Sequence, residues 1–87
     1  MRLSKYVKFR EEKFGGVLFE TRSEKVYTLN PTAAAVVREI ETGASESEIA
    51  ARLKGRFQDP TGEIEREVYM LIAELGEKGL LEGAPRD

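Results

Sequence analysis

Apolar residues change their spacing near residue 30 of this 87-residue chain, and that change restricts the fold more than any other feature. Before residue 30 they alternate with polar residues, as they do on a strand with one buried face. After it they recur every three or four positions, as they do on a helix with one buried face. The pattern predicts an α+β fold in which a small antiparallel sheet comes first and helices follow.

The first two strands are predicted near residues 7–10 and 17–21, joined by a turn at a pair of glycines. On the second strand, Val17 and Phe19 are predicted to share the buried face, with Glu20 on the opposite face. A short polar connection then leads to a third strand. The three strands form the predicted N-terminal sheet.

The third strand is predicted at residues 25–29, where β-branched and aromatic residues are frequent and Tyr27 and Leu29 share a face. An edge position would leave its outward N–H and C=O groups unpaired, and such a row is a template for an added peptide strand. The alternative is an ordinary strand that runs into a well-capped helix.

Three helices are predicted after residue 30. Asn30, followed by proline, is a good helix start, and Ser45 has capping-box spacing with a glutamate three residues later. The third helix begins after a break at residues 59–62 and ends at Gly79. Residues 80–81 are predicted to form a short extended piece that covers the core. Strands followed by three helices suggest a winged helix-turn-helix.

The third helix carries a second candidate surface beside its core stripe, because residues advance by about 100° around a helix. Tyr69, Ile72 and Ala73 lie on one flank of the stripe and are predicted to form one wall of an apolar groove. The alternative is that they pack against another helix. The core stripe itself consists of Ile64, Val68, Leu71 and Leu75, and the opposite flank carries Glu67, Glu74 and Lys78.

The composition argues against an enzyme. The chain has neither histidine nor cysteine, which excludes imidazole and thiol chemistry, disulfides and the usual zinc ligands. It has no glycine-rich phosphate loop, and a catalytic pair of carboxylates would need a deeper cleft than so short a chain usually forms. No catalytic residue, metal site or cofactor is predicted.

The chain is predicted to be one cytoplasmic domain over residues 1–87, since it has no apolar run that could span a membrane and no signal-peptide pattern. Monomer and homodimer both remain possible, because an unpaired edge strand can pair with its own copy.

A winged-helix DNA-binding regulator is one alternative, and its duplex binding would weaken steeply with salt. The predicted third helix opposes it, because residues 63–78 hold five acidic and two basic side chains, and phosphates would repel that helix. The basic residues are concentrated at residues 1–13 instead. No nucleic acid is predicted as a partner.

Several segments resemble PqqD-like proteins, the recognition elements for ribosomally synthesised and post-translationally modified peptides (RiPPs). Residues 26–34, VYTLNPTAA, resemble the strand-to-helix junction of that family, and residues 15–19, GGVLF, its preceding strand. Residues 45–57 resemble the second helix, and residues 65–81 the third helix with its closing KGLL segment. The resemblance covers roughly residues 6–82.

The resemblance implies a winged helix-turn-helix with three N-terminal strands and three helices. It also implies that the leader of a precursor peptide binds as an added strand on the third strand, in the groove beside the third helix. The domain would present the peptide to a radical S-adenosylmethionine (SAM) enzyme with an auxiliary iron–sulfur domain. The peptide-binding residues carried over to the strand are Lys25, Val26, Tyr27, Thr28 and Leu29.

The helical wall of that implied site is placed from the helical-wheel positions, at Glu65, Tyr69, Ile72 and Ala73. Family members serve the biosynthesis of pyrroloquinoline quinone, of mycofactocin and of other peptide products, and the resemblance leaves the product open. A structural adaptor that docks on the enzyme without touching its substrate is a further alternative. Such an adaptor would bind the enzyme equally well with and without leader.

Overall fold

The computed structural model describes residues 1–58 and 61–83. The first two positions of the predicted break at residues 59–62 lie outside the described residues. The elements are β1 (Arg2–Leu3), β2 (Val7–Glu12), β3 (Gly15–Glu20), β4 (Lys25–Leu29), α1 (Pro31–Glu41), α2 (Glu46–Phe57), α3 (Glu63–Glu77) and β5 (Leu81–Glu82). A three-stranded antiparallel sheet, in the order β2-β3-β4, is followed by three helices, so the predicted winged helix-turn-helix is confirmed.

A second, two-stranded sheet joins the two ends of the fold. β1 pairs antiparallel with β5, which places Arg2 opposite Glu82 and Leu3 opposite Leu81. The extended piece predicted at residues 80–81 lies one residue later, at Leu81–Glu82, and Leu80 just before it is buried in the core, as predicted for the segment that covers it. β1 was not predicted, because two residues are too short to show an alternating pattern.

The predicted orientation of the second strand is wrong. In β3, Leu18 is completely buried and Glu20 is buried as well, whereas Phe19 is 37% exposed on the outer face. The register explains the difference, because Leu18 lies opposite Phe9 on β2 and opposite Tyr27 on β4, and these partners face the helices. Leu18, not Phe19, therefore completes the inner row of the sheet.

Glu20 is buried because the turn before β4 supplies partners for its carboxylate. The oxygens accept hydrogen bonds from the Ser23 backbone N–H at 2.6 Å and the Ser23 hydroxyl at 2.5 Å, and from Arg22 Nε at 3.3 Å. The Ser23 bonds, followed by those from Arg22, lower the pKa of Glu20 to about 2 against the opposing effect of burial. The carboxylate thus holds the turn that leads into β4.

We expect the Glu20 carboxylate to make the free energy of unfolding depend on pH in the acidic range. A lowered folded-state pKa contributes stability above the unfolded value of 4.5, and this contribution is lost as pH falls from 4.5 through the folded value of about 2. Urea unfolding between pH 7 and pH 2 gives the free energy of unfolding of wild type and of Glu20→Gln. The difference between these two free energies should shrink as the pH falls below 4.5. Glu24→Gln removes one charge from the same turn and is the control. If the free energies of unfolding of wild type and Glu20→Gln differ by the same amount down to pH 2, the ionised Glu20 carboxylate does not stabilise the fold.

The predicted helix starts are confirmed by their capping bonds. Asn30 Oδ1 accepts the backbone N–H of Ala33 at 2.8 Å, one of the donors that an uncapped helix leaves free. At α2, the Ser45 hydroxyl accepts the Glu48 N–H at 3.2 Å, and the Glu48 carboxylate accepts the Ser45 N–H at 2.8 Å. These local bonds set where β4 ends and where the helices begin.

The core lies between the inner face of the sheet and the helices, with α1 packed on β3 and α3 packed on α2. The buried carboxylate of Glu39 ties α1 to α2, accepting from Arg52 at 2.7 Å and from Arg56 at 3.2 Å. The apolar core consists of Val7, Leu18, Leu29, Ala34, Ala35, Val36, Val37, Ile40, Ala44, Ile49, Ala50, Leu53, Val68, Ile72, Leu75 and Leu80. No helix in residues 1–58 or 61–83 is long and apolar enough to cross a membrane.

Candidate functional site

β4 is an edge strand. It pairs with β3 on one side, and no other strand of the described chain pairs with it on the other. The short polar turn and the Asn30 cap confine it to Lys25–Leu29. The open edge that the sequence suggested is therefore present in the fold.

The hydrogen-bond pattern of the sheet shows which β4 groups face outwards. The Thr21 N–H donates to the Tyr6 carbonyl at 2.8 Å, in the same register as β2 and β3. Because hydrogen-bonded and non-bonded pairs alternate in an antiparallel ladder, Thr21 and every second residue before it in β3 bond to β2. The residues between them bond to β4, where their partners are Lys25, Tyr27 and Leu29.

The backbone groups of Val26 and Thr28 consequently point away from β3, towards the open edge. Their side chains lie on the outer face, where Val26 is 58% exposed, whereas Tyr27 and Leu29 point towards the core. Two N–H and two C=O groups in one row, on alternate residues, are what an incoming strand requires for pairing. The edge can therefore accept an extended backbone.

Beside β4 lies an apolar groove whose far wall is α3. It encloses a cavity of about 190 Å³. We call this space the α3–β4 groove, and it is lined by Tyr27, Thr28, Leu29, Asn30, Ala33, Leu71, Glu74, Leu75, Lys78 and Leu80. Side chains of an added strand that point inwards would enter it.

A second cavity, of about 240 Å³, continues the groove past the end of β4. We call it the α1–α3 recess. It shares Asn30, Ala33, Leu71 and Glu74 with the groove, and Thr32, Val36, Glu67 and Met70 complete its lining. Met70 is 63% exposed there, so an apolar surface remains open to solvent.

The structure places three of the predicted strand residues, Tyr27, Thr28 and Leu29, along the groove. Lys25 and Val26 are exposed at the start of the same strand. The predicted residues of β4 are thus brought together on the open edge. That they contact a peptide stays a prediction.

The predicted helical wall needs correction, because Tyr69, Ile72, Ala73 and Glu65 are not among the lining residues of the groove. Ile72 is only 3% exposed and belongs to the core, Tyr69 and Ala73 are exposed elsewhere on α3, and Glu65 is half-buried. The wall consists of Leu71 and Leu75 from the core stripe together with Glu74 and Lys78 from its opposite flank. α3 packs on α2, and that packing decides which flank is left beside β4.

Other lining residues were not predicted as site residues. Asn30 was assigned only as a helix cap, Leu80 only as part of the closing segment, and Met70 not at all. For Asn30 and Leu80 the one sequence signal is their place on segments that border β4, namely the junction with α1 and the chain after α3, whereas Met70 lies within α3 and carries no such signal. Only the tertiary arrangement brings them to one cavity.

Charge is unevenly distributed along these two cavities. Near β4, Lys78 Nζ lies 3.3 Å from a Glu74 carboxylate oxygen, so the groove contains one cation beside one anion. In the recess, the charged lining residues are Glu67 and Glu74, both acidic. The end beyond β4 is therefore the more negative one.

Comparison with known proteins bears on both the fold and the family. The sequence matches the family described as Coenzyme PQQ synthesis protein D (PqqD) over residues 15–81. The structure resembles that of "TbiB1 in Complex with the TbiA(beta) Leader Peptide", with a TM-score of 0.86 at 21% identity, covering 99% of this chain and 100% of that one. It also resembles "Lasso peptide synthetase B1 complexed with the leader peptide", with a TM-score of 0.78 at 29% identity, covering 91% and 93%. The search of curated proteins gave no match.

Proposed function

The chain belongs to the PqqD family, and from this premise we propose that it binds the leader of a ribosomally made precursor peptide as an added strand on β4. The observation that carries the proposal is the open edge at Val26 and Thr28 beside the apolar α3–β4 groove. Both structural relatives are complexes with leader peptides, and their likeness to this fold supports a leader peptide as the ligand here.

The binding mode follows from strand geometry. Main-chain bonds to Val26 and Thr28 would hold the leader whatever its sequence, and these bonds supply affinity. Alternate leader side chains would then enter the groove against Leu71, Leu75 and Leu80, and these contacts supply selectivity. The leader would gain a fixed register on a rigid sheet.

The proposed role is to bind a substrate for another protein, without chemistry of its own. Holding the leader makes the encounter of the core peptide with a docked enzyme intramolecular, which raises its effective concentration. We propose a radical SAM enzyme with an auxiliary iron–sulfur domain as that partner, on the basis of the family alone. The predicted cytoplasmic location belongs to the same proposal.

DNA binding finds less support. α3 would have to approach the phosphates, yet its first turn carries Glu63 and Glu65 and its last turn carries no basic residue. A helix of this charge is repelled by a duplex. The described structure therefore favours the peptide over the nucleic acid as ligand.

Titration of the ¹⁵N-labelled protein tests the proposal, with synthetic leaders of the short peptides encoded beside its gene as probes. We expect the amide signals of Val26 and Thr28 to shift and their hydrogen exchange to slow, because they become bonded to the leader. Glu11 on β2, at the opposite side of the sheet, is the internal control and should not change. Unchanged β4 amides at saturating leader, or equal protection at β2, would contradict the proposal.

A further inference from the structure

The α1–α3 recess has a lining unlike that of the groove beside β4. Its floor is apolar, formed by Ala33 and Val36 of α1 and by Leu71 of α3, and the exposed Met70 lies beside it. The recess begins where β4 ends, at Asn30, and it shares four lining residues with the groove. An extended peptide that continues beyond the segment paired with β4 would therefore reach it.

Two carboxylates border this floor. Glu67 and Glu74 are seven residues apart, about two helical turns, so they lie on the same side of α3 with Met70 and Leu71 between them. No hydrogen bond or ion pair holds the Glu67 carboxylate within the described chain, and Glu74 pairs with the exposed Lys78 at 3.3 Å. No basic residue lines the recess itself. The rim is thus negative above an apolar floor.

We propose that this recess takes a lysine or arginine side chain of the bound peptide, and so selects leaders with a basic residue next to the strand-forming segment. The inference rests on the proposed function, since it assigns a specificity to the same site. The methylene groups of such a side chain would cover Met70 and Leu71, while its charge reaches the two carboxylates. An acidic side chain would be repelled there, and a purely apolar one would displace water from the carboxylates without replacing its hydrogen bonds.

Selection from a library of random twelve-residue peptides displayed on phage tests this specificity directly, and it does not require the natural leader to be identified. The 87-residue chain is the bait. Against wild type, we expect enrichment of a β-forming apolar segment with Lys or Arg at one flanking position. The side on which that position falls would also reveal the direction of the added strand.

Two double variants separate the recess from general charge effects. Glu67→Gln with Glu74→Gln removes both rim carboxylates, whereas Glu65→Gln with Glu77→Gln removes the same charge from α3 positions outside both cavities. All four replacements keep a good helix former, so both variants should fold. Wild type and the control should bind a selected peptide about two- to fivefold more tightly than its Lys→Gln counterpart, and the rim variant should bind the two peptides equally well.

The outcomes distinguish the inference from the proposed function. Selected peptides that shift the Val26 and Thr28 amides but show no basic preference would overturn the recess assignment and leave strand addition intact. The recess assignment would also be overturned if the Glu67→Gln/Glu74→Gln variant still preferred lysine. The same holds if the Glu65→Gln/Glu77→Gln control lost the preference to the same extent. Failure of all selected peptides to perturb β4 would overturn both.

Discussion

Gly15→Ala is expected to lower the free energy of unfolding by about 3 kcal/mol or more. For a domain this small, such a loss is enough to leave a substantial fraction of the molecules unfolded. Gly15 has φ +142°, a conformation that side chains disfavour, and a Cβ atom there would lie 2.1 Å from the Leu29 carbonyl oxygen and 2.6 Å from the Asn30 carbonyl carbon. Both neighbours are backbone, so neither can rotate away. The start of β3 would have to separate from the junction between β4 and α1.

Gly55→Ala is the matched control. Gly55 lies within α2, and nothing is within 4 Å of the position its Cβ would take. The same substitution there should raise stability by about 0.5–1 kcal/mol, because alanine loses less conformational freedom in a helix. Urea unfolding followed by circular dichroism measures both variants. A Gly15→Ala protein as stable as wild type would show that the close approach between β3 and the β4–α1 junction is not maintained in solution.

Thr28→Pro is expected to weaken leader binding by at least about tenfold. The Thr28 N–H points to the open edge, so proline removes a bond to the leader without removing one to β3. The pyrrolidine ring also occupies space that a paired strand needs. Proline is tolerated at such edge positions, so the sheet should persist.

Thr28→Val keeps the backbone N–H and nearly the same side-chain shape, and it is the matched control. Fluorescence anisotropy with a labelled leader gives the affinities, and thermal unfolding shows that each variant is folded. We expect wild-type affinity for Thr28→Val. A folded Thr28→Pro protein that binds the leader as tightly as wild type does would exclude strand addition at this edge.

The features that could be predicted from the sequence depend on residues a few positions apart. Asn30 and Ser45 begin helices because their side chains bond to N–H groups three residues later. The core stripe of α3 repeats every three or four residues, and Val68 and Leu75 are buried where it predicts. The candidate strand at residues 25–29 could likewise be assigned, since its residue types favour extended backbone.

Two errors arose at positions that local patterns do not decide. Val17, Leu18 and Phe19 are all apolar, so alternation could not show which of them faces the core. The choice came from Phe9 and Tyr27 on the neighbouring strands. On α3, both flanks border the same stripe, and a helical wheel contains no information about the neighbours of each flank.

The sequence by itself determined that a three-stranded sheet is followed by three helices, where α1 and α2 begin, and that histidine and cysteine chemistry is absent. These properties follow from short-range hydrogen bonding, periodicity and composition. Only the tertiary structure decided that β4 remains an open edge, that Leu71 and Glu74 rather than Tyr69 and Ile72 face it, and that Leu80 lines the groove. The physical reason is that a groove is a space between elements distant in sequence, and its lining depends on how they pack.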